Sequence, residues 1–139
     1  MTAKDELREL YRINCTLVRL RQQKEDLETA MTLLQSPSGK LTPDKVQTSL
    51  VGDRMAQKIA KLEEVESRIK ETICNLEMTK HTIMQKIESI SDERYRSVLY
   101  YRYVKFMKWE SIAVSSNYTI QHVHRLHGEA LQEYAKLNM

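Results

Sequence analysis

The sequence contains few of the residues that interrupt regular structure. Among 139 residues there are only 3 glycines and 2 prolines. Helix-forming Ala, Leu, Glu, Lys, Arg and Gln are abundant, so we expect an all-α protein. The chain also lacks an apolar run of about 20 residues and an apolar N-terminal segment. We therefore expect no membrane span, no signal peptide and a cytoplasmic location.

Residues that would carry chemistry are sparse as well. The two cysteines, Cys15 and Cys74, lack metal-ligand spacing, so we expect free thiols in a reducing compartment. We find no nucleophile–base pair, no glycine-rich phosphate loop and no close pair of acids, and therefore expect neither an enzyme nor a cofactor.

Three histidines, at positions 122, 124 and 127, are the nearest approach to a metal cluster. On a helix His124 and His127 share a face, but His122 points elsewhere. No cysteine or paired carboxylate completes a tetrahedral ligand set, so we expect no metal site. These histidines would instead add positive charge beside an anionic groove when protonated.

Apolar residues recur in the first part of the chain at alternating intervals of three and four. They are Leu10, Ile13, Leu17, Leu20, Leu27, Met31 and Leu34, with Lys24 as the interruption. A period of 3.5 held over more than three heptads predicts a coiled-coil seam. Pro37 and Gly39 end this helix near Gln35.

The same alternation resumes at Met55 and continues to Ile90, interrupted by Glu66 and Lys80. The second helix begins either near Thr42-Pro43-Asp44 or near residue 50, because Gly52 weakens the earlier start. Two such helices with a loop at about 36–49 predict a long antiparallel helical hairpin, or coiled coil, over residues 1–90.

Antiparallel pairing brings Lys24 near Glu66; alternatively, both side chains and Lys80 extend outward with their stems packed. The second helix is longer than the first, so its end has no partner in the hairpin. We expect this end, Leu76 to Ile90, to pack against the C-terminal module or a second copy of the chain. A homo-oligomer follows as an expectation, with a dimer favoured.

A second domain is predicted over residues 91–139. Ser91 is a candidate cap for a helix that carries Val98, Leu99, Tyr101, Tyr103 and Phe106, with both tyrosines in the core. Next come a short helix, Trp109 to Val114, a turn at Ser115-Ser116-Asn117 with Asn117 left-handed, and a helix capped by Thr119.

The last of these helices places Val123, Leu126, Ala130 and Leu131 inward at helical spacing. Its N-terminal residues Ile120, Gln121, His122, His124 and Arg125 stay on or near the exposed face. Two short helices with a tight polar turn are typical of a helix-turn-helix, whose second helix lies in the DNA major groove.

The segment VLYYRYVKFMKWESIAVSSNYTIQHVHRLHGEAL resembles the fourth conserved region of bacterial sigma factors. Over nearly its full length the chain also resembles small sigma-like regulators of phages and prophages. The resemblance implies that Gln121 and Arg125 contact bases and that His124 contacts the backbone or an adjacent base. Ile120 stands where the family usually has Arg, which implies a different promoter preference. Nothing matches the sigma region that melts promoter DNA.

The chemistry of these side chains fits double-stranded DNA. The Arg125 fork suits guanine and the Gln121 amide suits adenine. The predicted base-contacting set is Ile120, Gln121, His124 and Arg125. The predicted backbone-contacting set is Arg102, Lys105, Lys108, Thr119 and His122, whose cations would make binding salt-dependent. Host RNA polymerase is a further partner that the resemblance implies.

The sequence thus favours a phage or prophage DNA-binding transcriptional regulator. Two alternatives remain open. Small terminase subunits, which package DNA, also join a helix-turn-helix to helical assembly segments. A helical adaptor that binds a protein partner and no DNA would have the same helical pattern.

Overall fold

The computed structural model of the chain describes residues 2–35 and 45–138, with residues 45–49 as backbone only. In these two ranges the chain forms helices and connections without any strand, which confirms the all-α class. The helices are α1 (Ala3–Gln35), α2 (Lys45–Glu88), α3 (Glu93–Leu99), α4 (Trp109–Ser116) and α5 (Ile120–Lys136), and a π-helical segment, Tyr100–Val104, follows α3. No helix in the described ranges is long and apolar enough to cross a membrane.

One of the two predicted starts of the second helix can be compared with the structure. It is helical from Lys45, so the predicted start near residue 50 is wrong, as is the part of the predicted loop from 45 to 49. Gly52 lies inside the helix, where it weakens a long helix by only about 1 kcal/mol. The other candidate start, at residues 42–44, lies outside the described residues.

The chain divides into two compact units, and both long helices contribute to each. The terminal unit comprises Met1–Cys15 and Cys74–Met139, and the central unit comprises Thr16–Ile73. The unit that holds α3, α4 and α5 therefore also takes in the beginning of α1 and the end of α2. The predicted domain over residues 91–139, whose start is marked by the candidate cap Ser91, stays a prediction.

The core of the terminal unit is built from all of these helices except α4. Leu7 and Leu10 of α1 are buried together with isoleucines from the end of α2 and with residues of the following helices. The other buried members are Ile83, Ile87, Ile90, Leu99, Tyr103, Val104, Ala130 and Tyr134. The isoleucines thus pack on the C-terminal helices, the first of the two predicted options. They are also covered by α1, because α1 begins at Ala3, well before the predicted seam at Leu10.

A polar cluster beside this core joins three helices through Glu6. Its half-buried carboxylate pairs with the Lys86 ammonium of α2 and accepts a 3.2 Å hydrogen bond from the Tyr134 hydroxyl of α5. Asn138 donates a further 3.2 Å bond to the same carboxylate. Burial and the neighbouring Glu6 charge raise the pKa of Tyr134, so its hydroxyl remains a donor.

In the central unit the heptad pattern of α1 is confirmed more fully than that of α2. Leu17 and Leu20 are buried as predicted. From α2, however, Val65 is fully buried, whereas the predicted seam residues Ile59 and Ile73 are 42 % and 37 % exposed. Lys24 does lie 3.8 Å from Glu66, as predicted. Both side chains are exposed enough for water to screen the pair, so it contributes little stability.

The helix predicted from Ser91 to Phe106 is shorter than expected. Asp92, rather than Ser91, is its cap: the Asp92 carboxylate accepts a 2.9 Å hydrogen bond from the Arg94 backbone amide. After Leu99 the backbone widens into the π-helical segment, and Phe106 adopts a left-handed conformation with φ 58° that ends the helical path. Tyr103 is buried as predicted, but Tyr101 is exposed because the π-helical segment changes the register.

Replacement of one core isoleucine tests the role of the terminal core. Because Ile87 is almost completely buried, Ile87→Ala should lower the free energy of unfolding by about 2–5 kcal/mol. Urea unfolding followed by circular dichroism measures this difference. Met78→Ala, at an exposed position of α2 in the same unit, is the control and should change stability by less than about 1 kcal/mol. Equal losses for both variants would contradict this core.

Candidate nucleic-acid interface

The connection between α4 and α5 is a short turn centred on a left-handed residue. Asn117 has φ 60° and ψ 33°, the predicted left-handed conformation. The Tyr118 amide donates a 3.0 Å hydrogen bond back to the Ala113 carbonyl and closes the end of α4. The predicted turn begins two residues too early, because Ser115 and Ser116 still belong to α4.

The next helix starts as the sequence predicts. The Thr119 hydroxyl accepts a 3.1 Å hydrogen bond from the His122 backbone amide, which is an N-cap bond. Ile112 and Ala113 of α4 pack with Val123 of α5, and this small apolar cluster joins the two helices. The turn, cap and cluster together determine which face of α5 is left uncovered.

The buried face of α5 follows the predicted period and extends beyond it. Val123, Leu126 and Ala130 are buried, while Leu131 is only partly buried. His127 and Tyr134 are buried too, although the sequence analysis did not place them in the core. The interval of seven between them, in line with Val123 and Ala130, is the signal that could have identified both.

The opposite face of α5 exposes every residue of the predicted base-contacting set. Gln121, His124 and Arg125 are exposed, and Ile120 is 43 % exposed. They occupy the first two turns of the helix, where positions three and four apart lie side by side. The structure therefore brings these four side chains onto one accessible surface.

Arg125 is held along the helix by a neighbour. One of its guanidinium nitrogens lies 2.6 Å from His122 Nδ1. A guanidinium can only donate, so His122 Nδ1 is the acceptor in this contact. The Tyr118 ring contacts the His122 ring edge-on, with centroids 4.6 Å apart. His122 is thus positioned to orient Arg125, a role that the sequence analysis did not assign.

The predicted backbone-contacting cations have different surroundings. Arg102 is half-buried: its guanidinium lies 4.3 Å from the centre of the Trp109 ring and donates a 2.9 Å bond to the Met107 carbonyl. Lys105 and Lys108 are exposed, and Lys108 immediately precedes α4. Arg102 therefore supports the start of α4 structurally, while the two lysines are accessible to a polyanion.

Trp109 is the point where these groups meet. Its ring centroid lies 4.8 Å from that of His124 and 4.6 Å from that of His127, in addition to the Arg102 contact. The sequence places Trp109 at the start of a helix but does not show these contacts, since they join residues 7 to 18 positions apart in a fold that the pattern does not specify.

His127 does not carry the positive charge that was expected of the three histidines. Its Nε2 lies 2.6 Å from the Tyr103 hydroxyl, and burial, reinforced by nearby Lys4 and Arg102, lowers the pKa of His127 to about 4. Burial also raises the pKa of Tyr103, so the hydroxyl keeps its proton and donates to the neutral imidazole. The prediction that His127 adds positive charge beside a groove is therefore wrong.

The described residues contain no group of three His, Cys, Asp or Glu side chains that could hold a metal ion. Both cysteines are exposed thiols.

Comparison of the chain with protein-family models, curated proteins and solved structures finds no match. The resemblance to the fourth sigma region is therefore based on the quoted residues alone.

The buried imidazole should make stability depend on pH. The folded-state pKa of His127, about 4, lies below its ordinary 6.5, so the unfolded chain binds the additional proton between these values. This contribution is complete above pH 6.5 and should be lost as pH falls towards 4, by roughly 3–4 kcal/mol at about 1.4 kcal/mol per pKa unit. Urea unfolding at several pH values measures it.

The matched substitutions are His127→Gln and, at an exposed site on α2, His81→Gln. The first should flatten the acid side of the stability profile, whereas the second should leave it unchanged. An unaltered slope in His127→Gln would show that another group causes the pH dependence.

Proposed function

We propose that the protein is a DNA-binding transcriptional regulator of the phage or prophage type, in which α4, the Asn117 turn and α5 act as a helix-turn-helix. One observation carries the proposal. The four side chains chosen from the sequence for base contacts all lie exposed on the N-terminal half of α5, while the opposite side of that helix is buried. A recognition helix needs this division, because its N-terminal residues face the major groove.

The exposed side chains have complementary chemistry for base edges. The Arg125 guanidinium can donate to both acceptors of guanine, and the Gln121 amide can pair with adenine. Ile120 offers an apolar contact for a thymine methyl group, and His124 lies beside it on the same surface. Contact between His122 and Arg125 restricts the arginine before binding, which lowers the entropy lost when it meets a base.

Affinity would come from the backbone contacts. Lys105 and Lys108 are exposed cations that can approach phosphates, and Thr119 and His122 lie at the start of α5, where backbone amides favour an anion. Arg102 would contribute through its charge while it holds Trp109. Such contacts release counterions, so binding should weaken steeply as salt increases.

The long helices have a role in the proposal as well. We infer a helical hairpin from α1 and α2, supported by the Lys24–Glu66 ion pair in the central unit. Exposed Ile59 and Ile73 leave apolar surface on that unit, which supports pairing with a second copy of the chain. A dimer would present two recognition helices, and host RNA polymerase is the further partner proposed from the sigma resemblance.

Loss of the central arginine tests the base contacts. Arg125→Ala should relax the preference at one base pair by about 1–3 kcal/mol while leaving the rest of the preferred sequence intact. The measurement is selection of bound fragments from random duplex DNA at a fixed, stated salt concentration. Lys136→Ala removes an exposed charge from the other end of α5 and should keep the parent preference. Identical selected sequences for Arg125→Ala and the parent would remove Arg125 from the interface.

Mass measurement separates the regulator from the DNA-packaging protein, and binding measurements separate it from the adaptor. Light scattering of the purified chain should give a dimer, since that is the assembly the proposed hairpin supports. A closed ring of many copies would favour the DNA-packaging role. A chain that shows no salt-sensitive DNA binding but captures polymerase would favour the adaptor.

A further inference from the structure

The terminal unit contains an open cleft of about 710 Å³ between the first turns of α1 and the segment that leads into α4. A volume of this size falls in the range of small-molecule sites. The base-contacting residues of α5 do not line it. It is therefore distinct from the proposed base-contacting surface of α5.

The cleft has a strongly cationic lining. From α1 it receives Lys4, Arg8 and Arg12, which are exposed and four residues apart, so they form a single stripe along one face of the helix. Arg102 and Lys108 line it as well, and within the described part of the chain no acidic side chain does.

Acidic side chains of α1 balance part of this charge. Glu9 lies 3.4 Å from Arg12, and the pKa of Asp5 is lowered mainly by its hydrogen bond with Thr2 and also by the charge of Arg12. The Arg102 guanidinium donates to the Met107 carbonyl and lies over the Trp109 ring, and both of these partners are neutral. The positive charge also reaches the interior: burial is the main cause that lowers the pKa of the adjacent His127, and Lys4, Arg102 and Arg8 lower it further. A ligand carrying two negative charges would relieve this repulsion.

Aromatic rings form the other part of the lining. Tyr11 is 53 % exposed, and its ring contacts Phe106 edge-on with centroids 5.6 Å apart. Trp109 also borders the cleft. Phe106 reaches its position only through the left-handed backbone at φ 58°, a conformation that disfavours a residue with a Cβ. Strain of this kind persists where the surrounding structure enforces it, often at ligand sites.

We propose that this cleft binds a nucleotide, with its phosphate on the α1 stripe of Lys4, Arg8 and Arg12 and its base against Tyr11 and Phe106. Cations beside the exposed Tyr11 ring and the half-buried Phe106 ring suit these two chemical groups, since the cations attract the phosphate and any base can stack on a ring. The nucleotide is either a free molecule or one residue of a DNA single strand. The inference does not rest on the proposed base contacts of α5, because none of those residues lines the cleft. Arg102 and Lys108 are shared between the cleft and the predicted backbone-contacting set.

Intrinsic fluorescence provides a direct test, because Trp109 is the only tryptophan of the chain. The full-length protein is titrated with adenosine monophosphate, a short single-stranded oligonucleotide, inorganic phosphate and adenosine. We expect saturable quenching by the monophosphate, by the oligonucleotide or by both, with phosphate weaker and adenosine weakest. Binding of the monophosphate identifies a free-nucleotide site, and binding of the oligonucleotide alone identifies a strand site.

The variant Arg8→Gln/Arg12→Gln should weaken this binding by about ten-fold or more, since it removes two of the charges that face the phosphate. The matched control, Arg19→Gln/Arg21→Gln, changes two exposed arginines of the same helix outside the cleft and should bind like the parent. Thermal melts followed by circular dichroism confirm that both variants fold.

The proposal is overturned if neither nucleotide ligand binds saturably, if adenosine binds as well as its monophosphate, or if both double variants lose affinity equally. These outcomes are separate from a failure of the major-groove proposal, which would appear as a lack of sequence preference in duplex selection with the parent protein.

Discussion

The terminal unit depends on burial of the isoleucine face at the end of α2. Ile83 and Ile87 are buried in one cluster with Leu7 and Leu10 of α1 and with residues of the C-terminal helices, including Tyr134. Each fully buried side chain of this size contributes about 1.5–3 kcal/mol relative to exposure. This apolar contact fixes α5 by its C-terminal half. The Glu6 carboxylate also constrains how the three helices are oriented, because it contacts Lys86 of α2 and Tyr134 of α5 at the same time.

Anchoring α5 in this way leaves its N-terminal half with two distinct surroundings. One side rests on α4 through Val123, and the other is exposed with Gln121 and Arg125. Between them, Trp109 contacts His124 on the exposed side and His127 on the buried side. The Trp109 ring also contacts Arg102 of the cationic cleft. A change at the proposed DNA surface or at the cleft would therefore alter the surroundings of Trp109.

Local signals in the sequence predicted the local structure well. Asn117 and Thr119 mark the turn and the cap because their side chains or backbone preferences act within a few residues. Heptad spacing predicted the buried leucines of α1, and the alignment of two heptad patterns predicted that Lys24 approaches Glu66. The exposed face of α5 follows from the same kind of period.

The features that depend on distant contacts could not be predicted. Nothing in the residues from Val104 to Lys108 marks Phe106 as left-handed, since glycine or asparagine would be the usual sign. The neutral state of His127 comes from burial and from the nearby charges of Lys4 and Arg102, which lower its pKa. The cleft forms only where α1 lies beside the segment before α4, and the sequence does not show this contact. The predicted seam begins at Leu10, so it gave no role to the stripe of Lys4, Arg8 and Arg12.

The central claim is that the N-terminal half of α5 is the surface that meets duplex DNA. The most direct measurement is a nuclear magnetic resonance titration of the protein with a duplex obtained by selection, following the backbone amides. The account predicts that the largest changes occur from Ile120 to Arg125, with smaller ones at Lys105 and Lys108. A duplex that binds without perturbing residues 120–125, or that does not bind at all, would contradict it.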